Sequence, residues 1–325
     1  MRFVVPWLLL GAFALRTISA GAQAAPPPPR SGARVDGEIV AERPYRLAPF
    51  DSLTDGQRRE LARSTSHAQY ETARQDVRFS LRKLEYGSDG LRVVAYVYEP
   101  SRRSQRRLPV IVYNRGSYVA GDQAPVLVPM MRRLAEAGFL VVAPQYRGSD
   151  GGEGRDDMGG ADVADVMNAV RLATHLPSAD STRIFMYGES RGGMMTYQAL
   201  RDRVRVRAAA VVGGFTDLDT LLAGDPRSRA AALMIWPDFE RDRATIAPRR
   251  SAVQWADSLR VPILILHGGA DAGVSPRQAM RLALRLDAAK HPYELHIIDG
   301  GSHTLAERAS LRDSLVTRWF ADHTK

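Results

Sequence analysis

From about residue 80 to the C-terminus, short apolar runs alternate with amphipathic stretches, and that alternation leaves few folds open to the chain. The strand-like runs are 82–86, 91–99, 110–114, 140–144, 184–187, 208–212, 262–267 and 294–298, and helical patterns fall at 126–137, 162–175, 192–201, 276–289 and 305–322. The first two runs flank Gly87-Ser88-Asp89-Gly90, a tight-turn composition that makes them an antiparallel hairpin. The later runs are almost continuously apolar, as strands of a parallel sheet covered on both faces must be. The expected architecture is α/β, a mostly parallel eight-stranded sheet with helices on both faces. One region breaks the rhythm: 215–260 has no strand pattern and holds Trp236, Phe239 and Trp255. Placed between two strands, it reads as a helical lid above the C-terminal sheet edge, where open α/β folds bind ligands.

Composition narrows the class further. The chain has 325 residues, 45% hydrophobic and 25% charged, without cysteine, which excludes disordered, collagenous and disulfide-stapled proteins. The net charge of +9 comes from 42 Arg and only 3 Lys, a ratio that points to codon usage more than to an anion-binding surface. Residues 1–24 pair a cationic start and a 13-residue apolar run with small residues in A-x-A spacing, the pattern of a signal peptide. That run is short of the roughly 20 residues a membrane span takes. The expected location is therefore periplasmic or secreted. A Pro-rich spacer is expected over 25–44, a helical cover with cap signals at Ser52-Leu53-Thr54-Asp55 over 45–80, and the α/β domain over 81–325.

The strongest chemical signal is Tyr187-Gly188-Glu189-Ser190-Arg191-Gly192-Gly193, a G-x-S-x-G motif with an apolar strand before it and a helix after it. Small residues at 188 and 192 permit the sharp turn that lifts Ser190 above the sheet as a nucleophile. A serine nucleophile needs a base and an acid, here in the order Ser, Asp, His. His303, in the loop Gly300-Gly301-Ser302-His303-Thr304 after the last strand, is the candidate base, and Asp271, after the penultimate strand, the candidate acid. Weaker candidates are His267 for the base and Asp299, Asp217 or Asp219 for the acid, while His291 and His296 read as structural.

These motifs together resemble the catalytic domain of the prolyl oligopeptidase family of α/β-hydrolases. The resemblance runs from about Leu84 to the C-terminus, through Tyr86-Gly87-Ser88-Asp89-Gly90-Leu91, Val112-Tyr113-Asn114-Arg115-Gly116, Tyr146-Arg147-Gly148-Ser149, Gly160-Ala161-Asp162-Val163-Ala164-Asp165, the serine turn, His267-Gly268-Gly269-Ala270-Asp271 and Gly301-Ser302-His303. It implies the same triad, Ser190, Asp271 and His303. An oxyanion hole is expected from the N–H of Arg191 and from backbone at Arg115 and Gly116, with Tyr118 an outside alternative, because Asn114-Arg115-Gly116-Ser117 departs from the family's usual loop. The Arg191 side chain is expected to pair with Glu153 or Asp157, or to meet a substrate carboxylate. Trp236 and Phe239 are the candidate substrate-binding residues, against ordinary packing of the lid.

Other chemistries lack their residues. The glycine-rich stretch 148–160 has no Lys-Ser/Thr and carries Asp150, Glu153, Asp156 and Asp157, which would repel phosphate. No metal-ligand spacing occurs, so no cofactor or metal is expected. The basic run 102–107 reads as a solvated loop and not as a nucleic-acid site. The cover is too short for a β-propeller, whose blades take roughly 40–50 residues each, so access to the site is expected to fall to the 215–260 lid alone. The leading expectation is an exported serine peptidase. Alternatives are an esterase with the same triad and small ester substrates, and, more remotely, a non-catalytic binding protein on a hydrolase scaffold. Oligomeric state has no signature in the sequence.

Overall fold

The computed structural model describes residues 34–102, 106–116, 121–224 and 226–324. The proposed signal peptide, the Pro-rich run before residue 34, Tyr118 and the middle of the basic run lie outside the described residues.

The apolar runs pair into one sheet from β1 (Ile39–Pro44), β2 (Phe79–Ser88), β3 (Leu91–Pro100), β4 (Leu108–Asn114), β5 (Leu140–Pro144), β6 (Ala179–Glu189), β7 (Ala209–Val212), β8 (Ile263–Gly268) and β9 (Tyr293–Ile298). Their spatial order is β1-β2-β3-β5-β4-β6-β7-β8-β9. From β5 to β9 the neighbours run parallel, and the β1-β2-β3 end is antiparallel, with β2 and β3 forming the hairpin around Gly87 to Gly90. The sheet thus has nine strands, not eight, the added one lying in the segment expected to be spacer. β1 escapes a sequence reading because five of its six residues are exposed, so no apolar alternation marks it. Backbone pairing to β2 holds it as an edge strand, where the terminal Pro44 costs no ladder bond.

Alternation along each strand divides the core between the two faces. Val110, Val112, Val142 and Met186 pack toward α4 (Val163–His175), α5 (Arg191–Arg201) and the 215–260 insertion. Ile111, Val141, Phe185 and Leu264 pack toward α3 (Ala124–Glu136) and α10 (Ala309–Asp322). α9 (Arg277–Ala288) covers the first face at the β8-β9 end. The insertion is helical as expected, built from α6 (Leu218–Gly224), α7 (Pro226–Ile235) and α8 (Phe239–Arg249). The N-terminal cover forms α1 (Asp55–Leu61) and α2 (His67–Gln75), each opened by a reciprocal capping box, Thr54 with Gln57 and Ser66 with Gln69.

Several motifs that carried the resemblance have a structural job. The guanidinium of Arg147 meets Asp165, whose side chain is fully buried, at 2.8 Å, and Ser88 Oγ donates to the same carboxylate at 2.6 Å. Asp165 also accepts the backbone N–H of Arg147, while Tyr86 donates to its carbonyl oxygen. The hairpin, the β5–α4 loop and α4 are thereby locked together. Arg147→Met should strand a buried carboxylate and cost about 3–5 kcal/mol, read as a lower denaturation midpoint. An unchanged midpoint would contradict this role.

Candidate active site

Four loops meet at the C-terminal ends of the parallel strands: those after β4, β6, β8 and β9. After β6 the chain turns within one residue into α5. That residue, Ser190, sits at φ 53° and ψ −121°, a region that a side chain with a Cβ rarely occupies. The turn is possible because its flanks are glycines. A Cβ on Gly192 would lie 1.8 Å from the Asn114 carbonyl oxygen, and one on Gly188 would lie 2.4 Å from that of Gly192.

The Ser190 hydroxyl reaches His303 Nε2 at 2.8 Å, and His303 Nδ1 reaches Asp271 Oδ2 at 2.7 Å. Asp271 is buried in a cage of donors. Oδ1 accepts the backbone N–H groups of Gly273 and Val274, both at 2.9 Å, and Oδ2 also faces His267 Nε2 at 3.1 Å. Burial alone would raise its pKa, but the bonds from His267 and His303 outweigh this and hold the carboxyl well below the usual carboxylate range. An ionised carboxylate only accepts, so His303 Nδ1 carries a proton and Nε2 is left to accept from Ser190. His267, the weaker candidate base, lies instead behind the acid: its Nε2–H points to Val274 O at 2.8 Å and to Asp271. Asp217 and Asp299, weighed as acids, are not in this chain of bonds; Asp217 caps the start of α6 through Thr220 and pairs with Arg281.

The Arg191 guanidinium, 1% exposed, is committed elsewhere. It binds Asp156 at 2.7 Å and Asp162 at 2.8 Å and lies over the Tyr146 ring. Glu153 and Asp157, its expected partners, turn to other groups: Glu153 to Arg34 and Arg92, Asp157 to Trp236 and Arg250. The side chain ties down the acidic loop and does not face a substrate; its backbone N–H opens α5 beside Ser190. Arg115 is buried too, its guanidinium donating to Gln145 O at 2.9 Å, while Tyr146 OH donates to Arg115 O at 2.9 Å. Gly116 passes so close that a Cβ there would lie 3.2 Å from Ser190 Cβ. The backbone of 115–116 is thus fixed against the serine by buried side chains.

A cavity of about 580 Å³ opens at Ser190 and His303. Its walls differ from the expected ones. Trp236 and Phe239, 7% and 3% exposed, pack on each other inside the insertion, and neither lines the cavity. Trp236 donates to Asp157, tying the insertion to the acidic loop, and its ring lies under Arg250 of the same insertion, which also binds Asp157. Phe239→Leu should therefore lower the unfolding temperature and leave KM unchanged. A shifted KM at an unchanged midpoint would return the ring to the site. The walls come instead from α1 and α3, with Tyr113, Glu189 and Arg312 at the floor. The lid is consequently not the sole control of access.

The floor holds residues that sequence reasoning missed. Glu189 accepts from Tyr113 OH at 2.6 Å and Tyr187 OH at 2.8 Å, and Arg312 stands 3.7 Å away while donating to Thr304 O at 2.8 Å. This cluster links the residue before Ser190 to the residue after His303. Its members are up to 199 positions apart in sequence at the extremes of β4 and α10 (312 − 113), with no local signal to join them.

The sequence model of the prolyl oligopeptidase family matches residues 129–325, well over half of the chain. The chain belongs to the prolyl oligopeptidase family. The match takes in Ser190, Asp271 and His303 and begins within α3. Among curated relatives, the uncharacterized peptidase YtmA of Bacillus subtilis (strain 168) is 29% identical over 241 residues, 72% of this chain and 90% of that protein. The acylamino-acid-releasing enzyme of Sus scrofa is 28% identical over 256 residues, 72% of this chain but only 34% of the relative. Among solved structures, a Mycobacterium tuberculosis puromycin-hydrolyzing peptidase superposes with a TM-score of 0.64 at 26% identity, covering 75% of this chain and 39% of that one. The chain therefore spans about a third of the longer curated relative. The α/β-hydrolase fold expected from the motifs is the fold of this family's catalytic domains.

Proposed function

We propose that the protein is an exported serine peptidase working through Ser190, His303 and Asp271. The observation that carries the reading is the unbroken pair of hydrogen bonds, 2.8 and 2.7 Å, from hydroxyl to imidazole to carboxylate. Ser190 Oγ attacks the carbonyl carbon of the scissile bond as His303 Nε2 takes its proton. Asp271 keeps the imidazole in the accepting tautomer and stabilises the imidazolium. The developing oxyanion is met by the N–H of Arg191 and by backbone of Arg115 and Gly116, preorganised donors each worth roughly 3 kcal/mol in such sites. The His303 proton passes to the leaving amine, giving an acyl ester on Ser190. Water, deprotonated by His303, then releases the acid and returns the hydroxyl.

The relatives' names as peptidases favour peptide over ester bonds as the natural substrate. Parallel kinetics on peptidyl amides and p-nitrophenyl esters test this. Amide hydrolysis is the expected result; efficient ester cleavage with no measurable amide cleavage would replace the peptidase reading by an esterase. The signal-like run of 1–24 supports export, and no helix among the described residues is long and apolar enough to cross a membrane. Fractionation should find mature enzyme, shortened near residue 24, outside the cytoplasm, and full-length enzyme confined to the cytoplasm would oppose export.

A further inference from the structure

The cavity beside Ser190 has two unlike linings. Several of its charged groups already have an opposite charge beside them: Arg133 lies 2.7 Å from Asp313, Arg312 donates to Asp313 at 2.8 Å, and the exposed Arg63 lies 3.0 Å from Glu60. Asp122 accepts from Tyr96 OH at 2.8 Å and from the hydroxyl of Tyr45 and the N–H of Ala124. The buried Arg312 and the half-buried Asp122 gain little by binding a charged substrate, since each would first have to give up a partner. Beside the charged groups lies an apolar strip: Leu61 at the end of α1 faces Val126, Leu127 and Met130 on α3. Val126 is the half-buried member, while the other three are at most 5% exposed. α1 is pinned in place by the Leu61 anchor and by Gln57 Nε2, which donates to Asp122 O at 2.9 Å.

We propose that the α1–α3 strip is a specificity subsite that receives one apolar side chain of the substrate whose carbonyl sits on Ser190, with α1 as its outer wall. The inference rests on the hydrolase reading of Ser190 and adds the substrate chemistry. The occupant follows from continuity, because the strip and Ser190 share one cavity of about 580 Å³, room for a side chain and a few peptide atoms but not for a folded chain. It also follows from chemistry, as apolar walls reward apolar burial. The N-terminal cover is thereby part of the substrate site, although it lies outside the matched residues 129–325.

The test uses full-length enzyme and two series of peptidyl amides, with Gly, Ala, Leu or Phe on either side of the scissile bond. Wild type should prefer Leu or Phe over Gly by roughly tenfold or more in kcat/KM on one side. Val126→Trp, which fills the strip from its half-buried member, should reverse that preference, lowering kcat/KM for Leu and Phe substrates by at least tenfold more than for Gly substrates. Leu61→Ala, which enlarges the strip from the opposite wall, should move the preference toward Phe. Equal loss for all four residues in Val126→Trp, with an unchanged unfolding temperature, would overturn the proposal. So would a wild type indifferent to side-chain size. Should amides prove inert, the same comparison with straight-chain acyl esters of increasing length reads the strip independently of the peptidase reading.

Discussion

Ser190→Ala should lower kcat by about 10⁶ and leave the fold intact, an effect of the size seen when a serine nucleophile is removed from comparable triads. The backbone at 190 is set by its neighbours and not by its side chain. Gly188 and Gly192 make room for the turn, and Ser190 N donates to Val212 O at 2.9 Å irrespective of the hydroxyl. Alanine accepts the same conformation at no greater strain than serine. Circular dichroism and the unfolding temperature should therefore match wild type while hydrolysis disappears. Residual activity within tenfold of wild type would mean that another group attacks the substrate.

Asp271→Asn should cost about 10⁴ in kcat, through the tautomer of His303. The asparagine carbonyl would keep the two backbone N–H groups of Gly273 and Val274, which places its NH₂ where Oδ2 now stands. That NH₂ would face His303 Nδ1 as a donor, requiring the ring to put its proton on Nε2, where it can no longer accept from Ser190. The substitution should also change the pH dependence of stability. The folded pKa of Asp271 lies below its unfolded value, so its ionised form contributes stability that is present above about pH 4 and lost as pH falls further. The stability difference between wild type and Asp271→Asn should accordingly be largest near neutral pH and shrink in acid. A difference independent of pH would contradict the donor cage around the carboxylate.

How far these features could be read in advance depended on how local their causes are. Each of the eight expected strands carries its own apolar run, and the turn at Ser190 is dictated by glycines two residues on either side. The helical insertion showed as an absence of strand pattern, and the two capping boxes of the cover are four-residue motifs. β1 could not be seen, since an exposed edge strand is made by its partner's open hydrogen bonds and not by its own side chains. Loop register was equally out of reach: Arg191 was expected to pair with Glu153 or Asp157, or to meet a substrate carboxylate, and it pairs with Asp156 and Asp162, a difference set by where each carboxylate points. Trp236 and Phe239 were placed near the site by an aromatic composition that packing explains as well. The actual wall, Leu61 against Val126 and Met130, joins two helices whose meeting only the fold determines.

The central claim is that Ser190 is an activated nucleophile, and a fluorophosphonate probe measures that property without presupposing a substrate. The folded enzyme should be labelled once, with mass spectrometry placing the adduct on Ser190. Labelling should vanish in Ser190→Ala, on denaturation and, to within background, in His303→Ala. A folded, hydrolytically active enzyme that remains unlabelled at Ser190, or that carries the adduct on another residue, would contradict the account.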